Sequence, residues 1–395
     1  MKKTLIALAA LGAMAGVAHA QSSVTLYGLV DVWVGQIKTN TATTPGIAAV
    51  TGPPAVAATF GQVTSTKQTK IDPAGLNGSR WGMRIREDLG GGLAAIANLE
   101  SGINLDTGAS GQGSLLFGRR ANVGLTGGFG TVTLGRNSSS YDDVSADHAM
   151  MVQSIFDPSN TNNGPTTAQA GGVVASAGNA ATFLGRNTSW VGFGTRFNNS
   201  VKYITPNFGG FSGSFMYALG EDKTATIGAS SSVSANLRYA NGPLLVSGGY
   251  QLEGATRTAT LKPALENALL NVAYDLGVVK LGAGFNRAKF KDVTAPVALG
   301  GGTFKPQNEI SLSAAVPLGA AVISAGYAQS KGDTLGKSSG VGVQATYSLS
   351  KRTTLYTGFQ STKAYDKLAA AITANGSGSV IGKTQTLAAG VRHTF

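Results

Sequence analysis

The stretch Val341-Gly342-Val343-Gln344-Ala345-Thr346-Tyr347-Ser348-Leu349 alternates without a break. Val341, Val343, Ala345, Tyr347 and Leu349 take one parity; Gly342, Gln344, Thr346 and Ser348 take the other. A period of two puts alternate side chains on opposite faces of a strand, whereas an amphipathic helix needs about 3.6. The pattern recurs at Val233–Tyr239, Leu270–Tyr274, Val279–Phe285, Ile310–Val316 and Leu387–Phe395. In each, aliphatic residues hold one parity and small or polar residues the other.

The connections between such segments come in two kinds. Short ones carry turn chemistry: Gly90-Gly91-Gly92, Gly127-Gly128, Pro206-Asn207, Asn241-Gly242-Pro243, Asp275-Leu276-Gly277, Pro317-Leu318-Gly319 and Ser350-Lys351-Arg352. Gly and Asn supply positive φ, and Pro presets the first turn position. Long ones alternate with them, near 40–76, 105–114, 137–185, 221–231, 254–266, 291–306, 331–338 and 364–383. Counting the segments between connections gives sixteen strands. The expected architecture is all-β, a 16-stranded antiparallel up-and-down sheet with tight turns at one rim and large loops at the other.

A sheet of that size with one apolar and one polar face exposes its apolar face in water. In a bilayer that face meets lipid, and closing the sheet removes its unpaired edges. Composition agrees. The chain has 56 glycines, only 13% charged residues and no cysteine, and its mean hydropathy is +0.07. A soluble β-helix would repeat at a fixed period, and none is found. The absence of cysteine excludes a disulfide framework.

Residues 1–20 read as a signal peptide. Lys2 and Lys3 form the charged region, Leu5–Ala18 the apolar region, and Ala18-His19-Ala20 a small-residue cleavage site. The apolar run is shorter than the roughly 20 residues that span a bilayer. The barrel is expected to occupy residues 21–395, as one unit. The formal charge of +12 falls to +10 without Lys2 and Lys3. For an exported chain with singly scattered basic residues, that charge argues against nucleic acid and for an anion pathway.

The run Ser22-Ser23-Val24-Thr25-Leu26-Tyr27-Gly28 opens the mature chain. With Gly78-Ser79-Arg80-Trp81-Gly82, Glu87-Asp88-Leu89-Gly90-Gly91-Gly92-Leu93, Leu99-Glu100-Ser101-Gly102, Phe117-Gly118-Arg119 and the closing Val391-Arg392-His393-Thr394-Phe395, it resembles the general porins of Gram-negative bacteria, beta-proteobacterial type. The resemblance covers essentially the whole mature chain and is strongest over residues 22–136. It implies a homotrimer in the cell outer membrane, in contact with outer-membrane lipid and lipopolysaccharide. It also implies that Phe395 is read by the outer-membrane assembly machinery, and that the third long loop folds into the barrel as a constriction.

Few residues could carry catalysis. Beyond residue 20 the only histidines are His148 and His393. His393 shares parity with Val391 and Phe395. His148 has Asp143 and Asp147 nearby, but no Gly-x-Ser-x-Gly elbow lies in its loop. Asp142 and Asp143 read as a negative patch rather than a metal site, and no helix follows Gly127–Gly135 to cradle a phosphate. The chain therefore reads as a channel, with no enzyme activity, metal or cofactor expected.

The wall is more informative. Trp81, Met83 and Ile85 assign one parity to lipid, which turns Arg80, Arg84 and Arg86 into the lumen. On the next segment Asn98 and Glu100 point inward. Arg119 and Arg120 are adjacent, so one inward position is expected. The outward set Ala121, Val123 and Leu125 selects Arg120, while the resemblance implies Arg119. The resemblance further implies a cluster of Arg80, Arg119 and Arg186, edged by Glu100 and faced by Asp142 and Asp143. Parity adds Lys202, Arg238 and Lys280 as inward cations, and Asp31 as the inward acid of the first strand. Arginine stays charged at physiological pH, and a constriction of one sign concentrates the opposite ion. The expected function is passive diffusion of small hydrophilic solutes, anionic or neutral, with a preference for anions. The alternatives are a selective porin for phosphate or organic acids, or a surface barrel with a structural or adhesive role.

Overall fold

The computed structural model describes residues 22–43, 61–152, 154–160, 190–255, 257–293, 295, 299, 301–375 and 380–395. The first twenty residues, most of the first connection with its Pro45–Phe60 stretch, and Arg186 lie outside them. The strands are β1 (Ser23–Ala42), β2 (Val63–Pro73), β3 (Arg80–Gly90), β4 (Leu93–Gly102), β5 (Gly111–Ser114), β6 (Arg120–Gly127), β7 (Gly130–Ser138), β8 (Arg196–Ile204) and β9 (Phe211–Ala218). They continue with β10 (Ser232–Asn241), β11 (Leu244–Gly254), β12 (Ala264–Asp275), β13 (Lys280–Lys291), β14 (Gln307–Leu318), β15 (Ala321–Gly332), β16 (Gly336–Ser348), β17 (Thr353–Lys363) and β18 (Val380–Thr394). One helix, α1 (Asp366–Asn375), sits in the last long connection.

Strands pair in sequence order, except that β4 pairs with β6 past the short β5 and both β2 and β3 pair with β1; β18 also pairs with β1, so the sheet closes. Phe395 completes the closure. Its N–H donates to the Gly28 carbonyl at 3.0 Å, and the Gly28 N–H donates to its carbonyl at 3.1 Å. The sheet holds seventeen strands, yet β2 and β3 share one place in the barrel. Val32 of β1 pairs with Pro73 and Leu29 with Arg80. Residues 74–79 leave the ladder between them as an inward excursion. The barrel therefore has sixteen places.

The outer face is apolar and the inner face polar, the inverse of a soluble fold. Leu26, Val34, Leu270, Leu312, Val343 and Leu387 are exposed, while Ser234, Gln251, Asn267, Ser324 and Thr386 are buried. Lipid rewards this arrangement, because the closed ladder satisfies the backbone groups that hydrocarbon cannot. Gly90, Gly91 and Gly92 all have positive φ (85°, 59° and 80°), the geometry a tight β3–β4 turn demands of glycine. Among the described residues no helix is long and apolar enough to cross a membrane, which says nothing of strands.

Two expected boundaries change. The first connection is shorter than 40–76, because β1 runs on to Ala42 and Val63–Pro73 pairs along it. Thr64-Ser65-Thr66-Lys67-Gln68-Thr69-Lys70 is polar on both parities and carries no alternation. The third connection starts after Ser138 and runs to Thr195, past the expected 185. Its return limb, including Trp190 and Val191, is buried rather than paired. Val191 joins an apolar cluster with Leu265, Phe290, Phe304, Leu335, Tyr365 and Leu368, which packs the return limb, wall and α1 together at the long-loop end.

Candidate constriction site

The third connection folds inward and lies along the inner wall from β10 to β17. Ser140 N–H donates to Ser234 Oγ at 2.9 Å, and Tyr141 O–H donates to Asn286 Oδ1 at 3.0 Å. Asn271 Nδ2 donates to the Val144 carbonyl at 2.7 Å. Ser313 Oγ donates to the His148 carbonyl at 2.6 Å, and Gln360 Nε2 to the Asp157 carbonyl at 3.0 Å. These bonds give the loop the backbone partners it lacks as irregular chain.

The loop fits because the wall beneath it is glycine. On the inward parity stand Gly249 of β11, Gly282 and Gly284 of β13, Gly326 of β15, Gly342 of β16 and Gly358 of β17. A Cβ on Gly284 would stand 2.7 Å from the His148 ring, on Gly326 2.7 Å from Met151 Cε, and on Gly358 2.8 Å from the Phe156 ring. On Gly282 and Gly342 it would run into the carbonyl oxygens of His148 and Phe156. Each of these five strands leaves out a side chain where the loop crosses it, and the glycines together form a bed.

Across the lumen the inner wall is charged. Arg84 lies over the Tyr27 ring at 4.1 Å. Tyr27 O–H donates to Glu100 Oε2 at 2.7 Å, and Arg119 Nε donates to Glu100 Oε1 at 2.6 Å. Arg80 and Arg120 are within electrostatic reach of the same group, Arg80 acting on Glu100 and Arg120 on Tyr27 and Arg80. The expected choice between Arg119 and Arg120 is corrected: both belong to the cluster. Arg120 opens β6 opposite Glu100. Arg119 precedes the strand in a bend, where its N–H donates to the Glu100 carbonyl at 3.1 Å, so strand parity does not bind it. Arg86 shares the inward parity of Arg80 and Arg84 and is exposed.

Arg196, at the start of β8, is a member that sequence reading missed; it acts on Asp142 and is itself acted on by Arg119 and Glu100. Its parity in the sequence matches that of Lys202, which was the available signal. A register shift in the β7–β8 pairing, with Asn199 at φ 51°, disrupts that alternation. Arg186 lies outside the described residues.

The other expected cations and acids divide differently. Lys202 faces inward but is buried, donating to Asp143 Oδ2 at 2.6 Å and to the Ser138 carbonyl at 3.0 Å. It moors the loop rather than lining the opening. Arg238 meets Asp147 at 3.1 Å, and Lys280 meets Asp275 at 2.9 Å beside the β12–β13 turn. Asp142, Asp143, Asp147, Arg238 and Lys280 border a cavity of about 680 Å³ beside the loop. Asp31 is corrected as a lumen-lining acid. It is fully buried, and its carboxylate accepts the N–H groups of Gly75 (2.9 Å), Leu76 (2.9 Å) and Asn77 (2.8 Å) and the Tyr356 hydroxyl. Asp31 thus holds the 74–79 excursion, whose Gly75 carbonyl accepts the Ile155 N–H of the loop at 2.8 Å. Charge-assisted bonds of this kind are about twice as strong as neutral ones.

Burial pushes the Asp142 carboxyl up to about 6 and Asp143 adds to the rise, while Arg196, Lys202 and Arg119 pull it down. Burial also raises Asp147, against a Ser247 hydrogen bond and Arg238. His148 is buried against Trp190, with ring centroids 5.1 Å apart, and burial lowers its pKa. Its Nδ1 meets Asn271 Oδ1 at 2.9 Å and its Nε2 meets Ser159 Oγ at 3.3 Å. Ser159 already donates to Asp157 at 2.7 Å, so its hydroxyl proton is not held by the imidazole. The trio braces the loop.

A closed barrel, apolar outside, with an inward loop opposite an arginine wall, defines a porin. The chain belongs to the Gram-negative porin family, whose family model matches residues 7–367. It is 36% identical to outer membrane porin protein 32 of Delftia acidovorans over 100% of both chains. It is 32% identical to an outer membrane porin protein of Bordetella pertussis over 73% of this chain and 69% of that one. Among solved structures it is similar to the anion-selective porin from Comamonas acidovorans. The TM-score there is 0.67, with 26% identity, covering 95% of this chain and 100% of that one. The OmpF of Salmonella typhi shares the fold, at a TM-score of 0.60 and 16% identity over 94% and 97% of the two chains. The protein is an outer-membrane porin.

Proposed function

We propose that the protein is a general diffusion channel that prefers anions, with its selectivity set where the third loop faces the arginine wall. The observation that carries this is the charge balance. Arg80, Arg84, Arg119, Arg120 and Arg196 stand together against Glu100 and Asp142. Asp143 and Asp147 are engaged by Lys202 and Arg238. The surplus is positive and sits between low-dielectric walls, where a field of one sign raises the local concentration of counter-ions. The relative described as anion-selective supports the same direction.

We infer further that the leader is cleaved after Ala20, that residues 21–395 form the barrel and that the mature protein is a homotrimer. One of the similar folds, OmpT of Vibrio cholerae, is described in a trimer form. Exposed Leu115 and Leu116, on the connection between β4 and β6, are apolar surface suited to a subunit contact. Outer-membrane lipid and lipopolysaccharide surround the barrel. Phe395, exposed and laid over Gly28, serves the assembly machinery. Transport proceeds without catalysis. The test is a planar bilayer under a KCl gradient: the expected reversal potential has the sign of chloride permeation, and the potassium sign would overturn the reading.

A further inference from the structure

Near the short turns the inner wall of β11–β15 changes character. Higher on these strands the inward positions include Ser247, Asn271, Ser313 and Ser324. Toward the turns the same parity gives Leu245, Ala273, Ala315, Pro317 and Val322. Register joins them across the wall: Leu245 is opposite Ala273, and Pro317 is opposite Val322. Between the two groups stands Lys280 of β13, opposite Ala315. The strands across the mouth differ. Thr346 and Ser348 of β16, Thr354 of β17, Arg392 and Thr394 of β18 and Thr25 of β1 keep their side polar. A porin lumen is polar as a rule, so an apolar belt at its mouth needs a cause.

Packing does not supply one. Leu269 and Phe290, also inward, are buried in apolar clusters with the loop and its return limb. Leu245 and Val322 are only half-buried, and Pro317 is exposed. Above the belt stand Ala149, Met150 and Val152 of the loop, and loop and belt together enclose the cavity of about 680 Å³. Small-molecule sites span roughly 300–1,000 Å³. Val152 is 54% exposed and has φ 33°, a backbone conformation that a β-branched residue adopts only at a cost. The loop keeps an apolar side chain over the belt all the same.

The charges around the cavity select the sign of an occupant. Asp143 is engaged by Lys202 and accepts the Ser214 hydroxyl at 3.2 Å. Asp147 is engaged by Arg238, and Asp142 is flanked by Arg196 and Lys202. The acids are therefore already countered from within the chain. Lys280 is 51% exposed and meets Asp275 at the turn, itself 39% exposed. Exposed pairs of this kind hold weakly, so the ammonium can share its three N–H groups with a second carboxylate. Arg238 stands at the edge of the belt, three strand spacings or about 14 Å from Lys280. One small head group therefore meets Lys280 and not both cations.

We infer that the slot between the belt and the loop is a binding site for small hydrophobic monocarboxylates, with the carboxylate on the Lys280 ammonium and the hydrocarbon body on the belt around it. The site is separate from the arginine wall, which carries the general preference for anions. An anion that enters the pore is held here only if it also has apolar surface to bury. Burial of each methylene then tightens binding by up to about fourfold. The inference rests on the channel reading above.

The experiment reads block of the chloride current through the full protein in a planar bilayer at pH 7.5. The probes are acetate, butyrate and hexanoate, with hexylamine as the oppositely charged twin. In the parent the half-blocking concentration should fall along the acid series by up to about fourfold per methylene, and hexylamine should not follow hexanoate. Leu245→Thr/Val322→Thr should flatten the series. Lys280→Gln should weaken every acid by roughly tenfold, whereas Lys351→Gln, the same charge change at the β16–β17 turn, should match the parent. Equal block by acetate and hexanoate in the parent would overturn the inference, whatever the variants do. So would hexylamine acting as strongly as hexanoate, or a chain-length dependence that survives Leu245→Thr/Val322→Thr. The parent's reversal potential in a KCl gradient reports on the arginine wall separately, so failure of that reading and failure of this one are told apart.

Discussion

The two halves of the inner wall solve opposite problems. From β1 through β8 the wall presents Tyr27, Arg80, Arg84, Glu100, Arg119, Arg120 and Arg196, long side chains that reach into the opening. From β11 through β17 it sets Gly249, Gly282, Gly284, Gly326, Gly342 and Gly358 between polar side chains such as Asn271, Ser313 and Gln360 that bond the loop. The charged half sets what the opening attracts, and the bare half sets how wide it is by accepting the loop. The glycines cost strand stability, since Gly in a strand interior packs nothing and loses more backbone entropy. Their return is the buried loop.

Filling the bed is the strongest way to break the contrast. Gly342→Val places a Cβ into the Phe156 carbonyl, and overpacking costs roughly 1–3 kcal/mol when the neighbours cannot yield. The loop is held less firmly than the sixteen-place ladder, so it should leave. Single-channel conductance is expected to rise by roughly twofold. Gly248→Ala is the comparison, because its Cβ would meet only the Leu269 carbonyl at 3.6 Å, and its conductance should match the parent.

Asp31 links the halves, through the excursion it holds and the Ile155 contact beyond. Asp31→Asn removes the charge behind three backbone N–H bonds, with an expected loss of about 2–3 kcal/mol. Denaturant midpoints in detergent would read it, and increased open-channel noise should accompany it as the loop loses its far anchor.

The loop's own charge responds to pH. Asp142 has its carboxyl raised to about 6 and Asp147 is raised as well. Asp142 is anionic at pH 7.5 and is protonated as the pH falls to 5, and burial moves Asp147 in the same direction. Each proton removes a negative charge facing the arginines, so anion preference should strengthen as pH falls, by a factor of order two. Burial lowers the His148 pKa, which works against its gaining a positive charge on acidification. A preference that weakens on acidification would reverse this assignment.

The smallest effect belongs to the neutral pair. Arg238 is 43% exposed where it meets Asp147, and pairs of this kind are worth about 0.2–1 kcal/mol. Arg238→Gln with Asp147→Asn removes equal and opposite charges and should leave the reversal potential unchanged.

Much of this was legible in the chain. Alternation is local, so the parity of Arg80, Arg84, Asn98, Glu100, Lys202 and Arg238 follows from their neighbours. Turn glycines and prolines marked the short rim for the same reason. The reading failed where the cause was not local. Val63–Pro73 is a strand because β1 lies beside it, and its own residues are polar on both faces. Arg119 escapes parity because a bend precedes β6. Asp31 has inward parity, but only the excursion of residues 74–79 turns it into an anchor. The bed glycines were visible as small residues of the polar parity. That they line up across β11–β17 depends on strand register, which no single segment states.

The central claim is that the surplus of guanidinium groups opposite the loop makes the pore anion-preferring. Its most direct test is the reversal potential, in a KCl gradient, of Arg80→Gln/Arg84→Gln/Arg120→Gln beside the parent. These three arginines have no ion pair among the described residues. The variant leaves the Arg119–Glu100 bond and the loop contacts in place. The account predicts a chloride-selective parent and a variant whose potential falls close to zero at similar conductance. A variant as chloride-selective as the parent would contradict it.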